Sequence, residues 1–342
     1  MNKIVVRRPG GFKRLELSTE AEPAPGPGEA RVSTRSIGVN YADCIVRMGL
    51  YKSAREFVGW PITPGFEFSG VVSAVGDGVH DLNVGDRVFG LTRFGGYASD
   101  IVVPRRQVLS LPPELDFAQG ATFGVVFLTA WYALFQLCDL HAGDKVLVHS
   151  AAGGVGSALC QLARAAGCQV MGVVSGEHKR EAALAQGAEL VVDKTREDMW
   201  AAARSFAPRG FQVVLDANGP ETLQRSYEHL ASRGRLVIYG FHTLLPRGGL
   251  PNPLGLLYNY LRTPSFKPLD MVDKNVGVLA FNLSYLFDEL DLLRSGMQDL
   301  LSKLASGQLR PLAVREFPLA NAGDAHRSLQ SGRTVGKLAL IP

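Results

Sequence analysis

From Lys145 onward the chain sets short, apolar, β-branched runs against stretches of helical length: VLVHS, QVMGVVS, ELVV, FQVVLD and RLVIYG alternate with GSALCQLARAAG, EHKREAALAQG and PETLQRSYEHLASRG. Strands that are apolar along their whole length need cover on both faces, so this rhythm predicts an α/β architecture with a doubly wound parallel sheet. The first junction is the most informative. In VLVHSAAGGVGSALC, Ala151, Gly153 and Gly156 occupy the three small-residue positions of a dinucleotide fingerprint, between a strand and a helix. Gly153 lets the backbone approach a pyrophosphate, Gly156 lets the helix pack close to the strand, and the helix N-terminus presents amides and a positive dipole to the phosphates. Gly153, Gly154, Val155 and Gly156 are therefore the expected phosphate-binding turn.

The end of the second strand selects the nucleotide. Val174-Ser175-Gly176 brings no acid to bind ribose hydroxyls or repel a 2′-phosphate, and His178, Lys179 and Arg180 follow. That balance of charge favours NADP(H) over NAD(H). Arg180 taken alone reads better as a solvated residue of a helix first turn.

Before residue 120 the rhythm differs. EPAPGPGEARV, SGVVSAVGDGV, VGDRVFGL and GGYASDIVV alternate short apolar runs with Gly/Pro turns, the pattern of a compact β-rich unit. A chain of 342 residues, 46% hydrophobic and 20% charged, has material for two soluble domains. Its net charge of +4 comes without a Lys/Arg block, which argues against a nucleic-acid partner. Cys44, Cys138, Cys160 and Cys168 form no CxxC pair, and MNKIVVRRPGG lacks a signal-peptide core, so the expected location is the cytoplasm. The uncharged run Gly120 to Cys138 approaches the length of a membrane span, but Gly124, Thr122, Thr129 and Gln136 interrupt it, and a buried helix is the expectation.

Periodicity is lost over 242–275. The stretch LLPRGGLPNPLGLLYNYLRTPSFK mixes apolar, aromatic and basic residues and reads as a lid, a dimer contact or, through 245–267, a peripheral membrane contact. Val276 to Leu283 reads as a sixth strand whose apolar edge needs cover.

The segments GVNYADCIVRMGLY (38–51), PGFEFSGVV (64–72), VGDRVFGL (84–91), GGYA (95–98), AAGGVG (151–156), VLDANG (214–219) and the closing Gly336-Lys337 resemble the medium-chain dehydrogenase/reductase superfamily, in its zinc-independent quinone oxidoreductase branch. VIYGFHTLL (237–245) and residues 278–286 narrow the resemblance to the homologues of vesicle amine transport protein one. It implies a β-rich, GroES-like catalytic domain over 1–122 and 286–342, an NADP-binding Rossmann domain over 123–285, and a homodimer formed through strand 276–283. It puts Asn40 and Asp43 near the nicotinamide and cleft, Tyr51 beside the substrate mouth, and Thr129 facing nicotinamide or substrate. On the cofactor side it carries 2′-phosphate contacts to Ser175 and Lys179 and places Lys194 near the adenosine. Asn218 and Tyr239 stand at strand ends, Phe281, Asn282 and Leu283 present backbone to the carboxamide, and Lys337 joins the cofactor set.

Zinc-dependent relatives carry a histidine before the glutamate of PGFEF, where this chain has Phe66, and a cysteine where it has Asn40. The resemblance therefore implies no metal, and hydride delivery to acceptors that are already electrophilic, quinones or α,β-unsaturated carbonyls. A competing expectation is an NADP-binding, membrane- or lipid-associated interaction protein with little turnover. Glu67, set between Phe66 and Phe68, needs backbone amides or a cation such as Arg47 if it is buried.

Overall fold

The structure, a computed structural model, describes residues 1–244 and 253–342 in two compact units: Met1–Val125 with Pro311–Pro342, and residues 126–244 with 253–310. In chain order the strands of the first unit are β1 (Asn2–Val5), β2 (Glu16–Thr19), β3 (Glu29–Val39), β4 (Glu67–Val75), β5 (Arg87–Leu91), β6 (Asp100–Pro104) and β7 (Val108–Ser110). The second unit supplies β8 (Lys145–His149), β9 (Gln169–Val174), β10 (Leu190–Asp193), β11 (Phe211–Asp216), β12 (Leu230–Ile238) and β13 (Gly277–Ala280). The chain then returns to the first unit for β14 (Val314–Pro318) and β15 (Lys337–Ile341).

The helices are α1 (Tyr41–Met48), α2 (Lys52–Phe57), α3 (Phe117–Trp131), α4 (Gly154–Ala165), α5 (Arg180–Ala185), α6 (Met199–Phe206) and α7 (Leu223–Glu228). They continue with α8 (Pro253–Leu261), α9 (Pro268–Lys274), α10 (Leu290–Ala305) and α11 (Ala322–Gln330).

In the first unit β3 is the spine. It pairs antiparallel with β4, β6 and β15, so the end of the chain is stitched to its beginning through Leu338 opposite Val39. Its side chains alternate between buried and half-buried over most of its length, as expected for a sheet with one face on a core. Ala30 and Val32 enter a core cluster with Phe68 and Val72, while Ile37 and Val39, further along, join Phe66, Leu338 and Leu340 in a second one. Immediately after β3, Asn40 stands in extended conformation at the start of α1, and Gly49 ends the helix at φ 77°, a left-handed cap that glycine adopts without a Cβ clash.

The second unit is the predicted doubly wound sheet, six parallel strands in the order β10-β9-β8-β11-β12-β13. Strand order runs outward in both directions from the β8/β11 pair, so the topological switch point lies at their carboxyl ends, where the chain places Ser150 and Ala217-Asn218. A Cβ on Gly156 would stand 2.2 Å from the Ser150 carbonyl oxygen, which is why only glycine lets α4 pack this close to the strand end.

Three sequence expectations change. Residues 286–310 belong with the second unit, not the first: in α10, Gly296 leaves room for the Trp131 ring, and Trp131 Nε1 donates to Asp299 at 3.0 Å. The last strand of the parallel sheet is Gly277–Ala280, shorter than 276–283, because Asn282 accepts the Ser284 amide and turns the chain into a 3-10 helix, Leu283–Asp288. The aperiodic stretch 242–275 contains α8 and α9. Residues 245–252 of that stretch, part of the lid or membrane-contact expectation, lie outside the described residues. Among the described residues one helix, Phe117–Gln136, is long and apolar enough to cross a membrane; it is mostly buried within the protein, as expected of a core helix.

Candidate functional sites in the two units

In the first unit the residues around the PGFEF turn form a buried polar cage. Glu67, 1% exposed, receives Lys337 Nζ at 2.8 Å and Asn40 Nδ2 at 2.9 Å on Oε1, and the Val125 amide at 2.8 Å on Oε2. Lys337, 4% exposed, completes its three donations with the Val39 carbonyl at 3.0 Å and Asn40 Oδ1 at 2.7 Å. The cage requires Gly38, where a Cβ would stand 2.4 Å from Glu67 Oε1 and 2.2 Å from the Ala121 carbonyl oxygen.

Two expectations are corrected by this arrangement. The cation that meets Glu67 is Lys337 rather than Arg47, with the Val125 amide as a second partner. Arg47 is buried elsewhere, donating to Gln330 Oε1 at 2.7 Å and stacked over the Phe12 ring at 4.3 Å. Lys337 in turn spends its ammonium on the protein, so its place among cofactor contacts is not supported by its geometry.

Asp43 is fully buried and holds the turn. Its carboxylate accepts the Asn40 amide at 2.8 Å and the Gly65 amide at 2.9 Å, joining the start of α1 to the PGFEF turn. Burial pushes its carboxyl up to about 7, against the opposing pull of those amides and of Lys337. With no exposed surface it positions rather than touches a ligand, which removes it from the candidates for direct contact. Beside it, Phe66 packs in an aromatic group with Tyr51 (centroids 5.8 Å) and Phe94 (5.4 Å), so a ring fills the space that an imidazole would need.

In the second unit the glycine turn after β8 leads directly into α4. Gly153 stands in extended conformation before α4 with no side chain capping the helix, and Gly153, Gly154 and Val155 are only half-buried. Ser175 is exposed at the end of β9. Lys179 is 8% exposed; burial lowers its pKa, Asp193 raises it and Lys194 lowers it further, so the two lysines sense each other at the ends of β9 and β10. Lys194 also pairs with Glu221 at 3.6 Å. Glu177, an acid that the strand-end reading passed over, is turned onto Arg180 at 2.9 Å, so Arg180 is neither free nor simply solvated. Asn218 and Tyr239 follow β11 and β12, Phe281 follows β13 with its ring 4.9 Å from that of Tyr132, and Asn282 caps the turn that begins with Leu283. Thr129, 8% exposed, lies one helical turn after Val125 in α3.

One residue at the switch point escaped the sequence reading. Ser150 adopts φ 56°, the left-handed region that costs a non-glycine residue strain, and its hydroxyl donates to Asn218 Oδ1 at 3.1 Å. Its signal was a polar residue closing an otherwise apolar strand, just ahead of the glycine fingerprint.

Removing one member of the cage leaves an uncompensated buried charge. Lys337→Met is expected to cost about 3–5 kcal/mol in denaturant-induced unfolding, and the double variant Lys337→Met/Glu67→Gln to recover a substantial part of that loss. A single variant within about 1 kcal/mol of the parent would place this ion pair with weakly contributing surface pairs.

Residues 26–113 match the alcohol dehydrogenase GroES-like domain and residues 154–272 match a family described as zinc-binding dehydrogenase. The human synaptic vesicle membrane protein VAT-1 homolog is 34% identical over 97% of this chain and 84% of its own length. Among solved structures, the Escherichia coli quinone oxidoreductase complexed with NADPH superposes with a TM-score of 0.87 at 28% identity, covering 100% of both chains. The CurK enoyl reductase gives 0.85 at 26% identity over 99% of this chain and 98% of that one. The zinc in the second family's description meets residues that do not suit it: Phe66 offers no ligand, and Asn40 and Glu67 are bound to an ammonium that already supplies positive charge. Fold, motifs and relatives converge, and the chain belongs to the medium-chain dehydrogenase/reductase superfamily, in its quinone oxidoreductase branch.

Proposed function

We propose that the chain is a cytoplasmic NADPH-dependent oxidoreductase that reduces quinones or α,β-unsaturated carbonyls without zinc. The observation that carries this reading is the lysine-closed cage: the positions where zinc-dependent relatives keep cysteine and histidine hold an amide tied to an ion pair and a packed aromatic ring. Without a Lewis acid, alcohol oxidation is disfavoured, while an acceptor that is electrophilic on its own still accepts a hydride. NADPH, when bound, supplies that hydride. The turn Gly153–Gly156 would hold its pyrophosphate, Ser175 and Lys179 its 2′-phosphate, with Lys194 alongside. Asn218, Tyr239 and the backbone of 281–283 would bound the nicotinamide end. Asn40 has a second amide hydrogen beyond the one given to Glu67, suited to donate to the oxyanion that forms on the acceptor. The names of two structural neighbours, a quinone oxidoreductase complexed with NADPH and an enoyl reductase, support the same cofactor and the two acceptor classes.

Stopped-flow oxidation of NADPH and NADH against a panel of quinones and enones, with metal analysis on the same sample, tests this. NADPH should be preferred, and Lys179→Glu should raise its KM by about tenfold or more through loss of a charge-assisted contact. Turnover that requires stoichiometric zinc, or a preference for NADH, would overturn the reading.

The edge of β13 supports a homodimer through 276–283: among the described residues β13 is hydrogen-bonded to β12 and is the last strand of its sheet. Light scattering at micromolar concentration should give twice the chain mass; a strictly monomeric species contradicts it.

A second reading is favoured by α8. Leu254, Leu257, Tyr258 and Leu261 recur at the spacing of one helix face, yet are 77, 54, 59 and 72% exposed, with Arg262 next in sequence. Such a stripe suits a membrane surface. Flotation with anionic vesicles should recover the parent protein and lose Leu257→Glu/Leu261→Glu; equal recovery of both removes the membrane contact.

A further inference from the structure

Behind the switch point of the second unit lies a set of buried polar groups that no step described so far uses. Asp216, the last residue of β11, is completely buried and accepts four hydrogen bonds. Its Oδ1 takes the amides of Asn218 at 2.8 Å and Gly219 at 3.2 Å; its Oδ2 takes the hydroxyls of Thr222 at 2.7 Å and Ser226 at 3.0 Å. Ser226 spends its one hydrogen on Asp216, so at its 3.0 Å contact with His149 Nε2 it accepts. That fixes a neutral imidazole protonated on Nε2, with Nδ1 left as a buried lone pair rather than an orphaned N–H. Histidine, serine and aspartate here do not form a nucleophilic triad. The serine stands between the other two, and all three are fully buried.

The consequence of the network appears two residues further along the chain. By gathering the amides of Asn218 and Gly219, Asp216 folds the strand end into a tight turn that needs Gly219 at φ 95°, where a Cβ would also stand 2.9 Å from the Phe241 ring. The turn reaches in two directions. Asn218 Oδ1 accepts the hydroxyl of left-handed Ser150, directly ahead of Ala151–Gly153. On the other side, the Asp216, Ala217 and Asn218 carbonyls accept the amides of Tyr239, His242 and Thr243. One carboxylate thus ties the phosphate-binding turn after β8 to the segment after β12.

We propose that Asp216 is the positioning residue of the nucleotide site: it acts through Asn218 and Ser150 and sets the cofactor turn before any ligand arrives. The inference rests on the reading of this unit as an NADPH site and adds a residue that does not itself touch the ligand. Asp216→Asn is nearly isosteric but reverses the hydrogen bonding. The new amide must donate toward Thr222 and Ser226, Ser226 must then donate to His149 Nε2, and the imidazole is left with a buried N–H at Nδ1 and no acceptor.

The test measures NADPH affinity by quenching of protein fluorescence, with thermal unfolding on each sample. Asp216→Asn should raise the NADPH Kd by about tenfold, with the KM of the acceptor unchanged at saturating NADPH. Thr222→Val and Ser226→Ala, each losing one of the four bonds, should give smaller rises and serve if Asp216→Asn fails to fold. A double-mutant cycle of Asp216→Asn with Ser150→Ala should be non-additive in Kd, because both act on one turn. Folded variants whose Kd stays within a factor of about two of the parent while melting temperature falls would reduce Asp216 to a structural residue and overturn the inference. Failure of the parent protein to bind NADPH would instead overturn the functional reading, before any variant is compared.

Discussion

The first unit depends on one ammonium. Lys337 comes from the last strand of the chain and enters a site built by residues 38–40 and 67, where it neutralises a carboxylate that is almost completely buried. A carboxylate so placed without a cation would cost several kcal/mol or take up a proton. The pair also has a geometric role. Through Glu67 it links β4 to the start of α1, to β15 and to the Val125 amide of α3, so four elements far apart in sequence are held at one point. Around it the sequence is consistent: Gly38 makes room, Phe66 packs against Tyr51 and Phe94, and Asp43 pins the Gly65 turn from the other side.

That cage bears on the chemistry. A metal site needs soft or oxygen ligands with free lone pairs converging on an open position. Here the amide and the carboxylate are turned onto Lys337, and the ring of Phe66 occupies the neighbouring space. In the proposed reading, the acceptor would need only orientation and hydrogen-bond stabilisation of a developing negative charge.

Much of the second unit was legible in the sequence because its signals are local. Strands β8 to β12 follow from runs of apolar residues, and the turn at Gly153–Gly156 follows from spacing alone. The partner of Glu67 was not legible. Arg47 was the nearer candidate in sequence, whereas Lys337 lies 270 residues away and meets Glu67 only because β15 pairs with β3. The same limit hid the role of Ser150, whose neighbour Asn218 comes from a different βα unit. Helices α8 and α9 were missed for another reason. In α8 the apolar residues Leu254, Leu257, Tyr258 and Leu261 face solvent, so the polar face that normally marks a surface helix is absent, and α9, seven residues long, is too short to show a period. Helix α10 was assigned to the wrong unit because order along the chain does not reveal that Gly296 receives the ring of Trp131.

The proposed function is hydride transfer from a reduced nicotinamide to an electrophilic acceptor with no metal. Its most direct test uses an α,β-unsaturated ketone, metal-depleted protein and NADPH deuterated at the transferable position of nicotinamide C4, in ordinary water. Direct hydride transfer without zinc gives a saturated ketone carrying deuterium at the β-carbon, formed at the same rate with and without added zinc. Product free of deuterium, or turnover that appears only when zinc is restored, would contradict it.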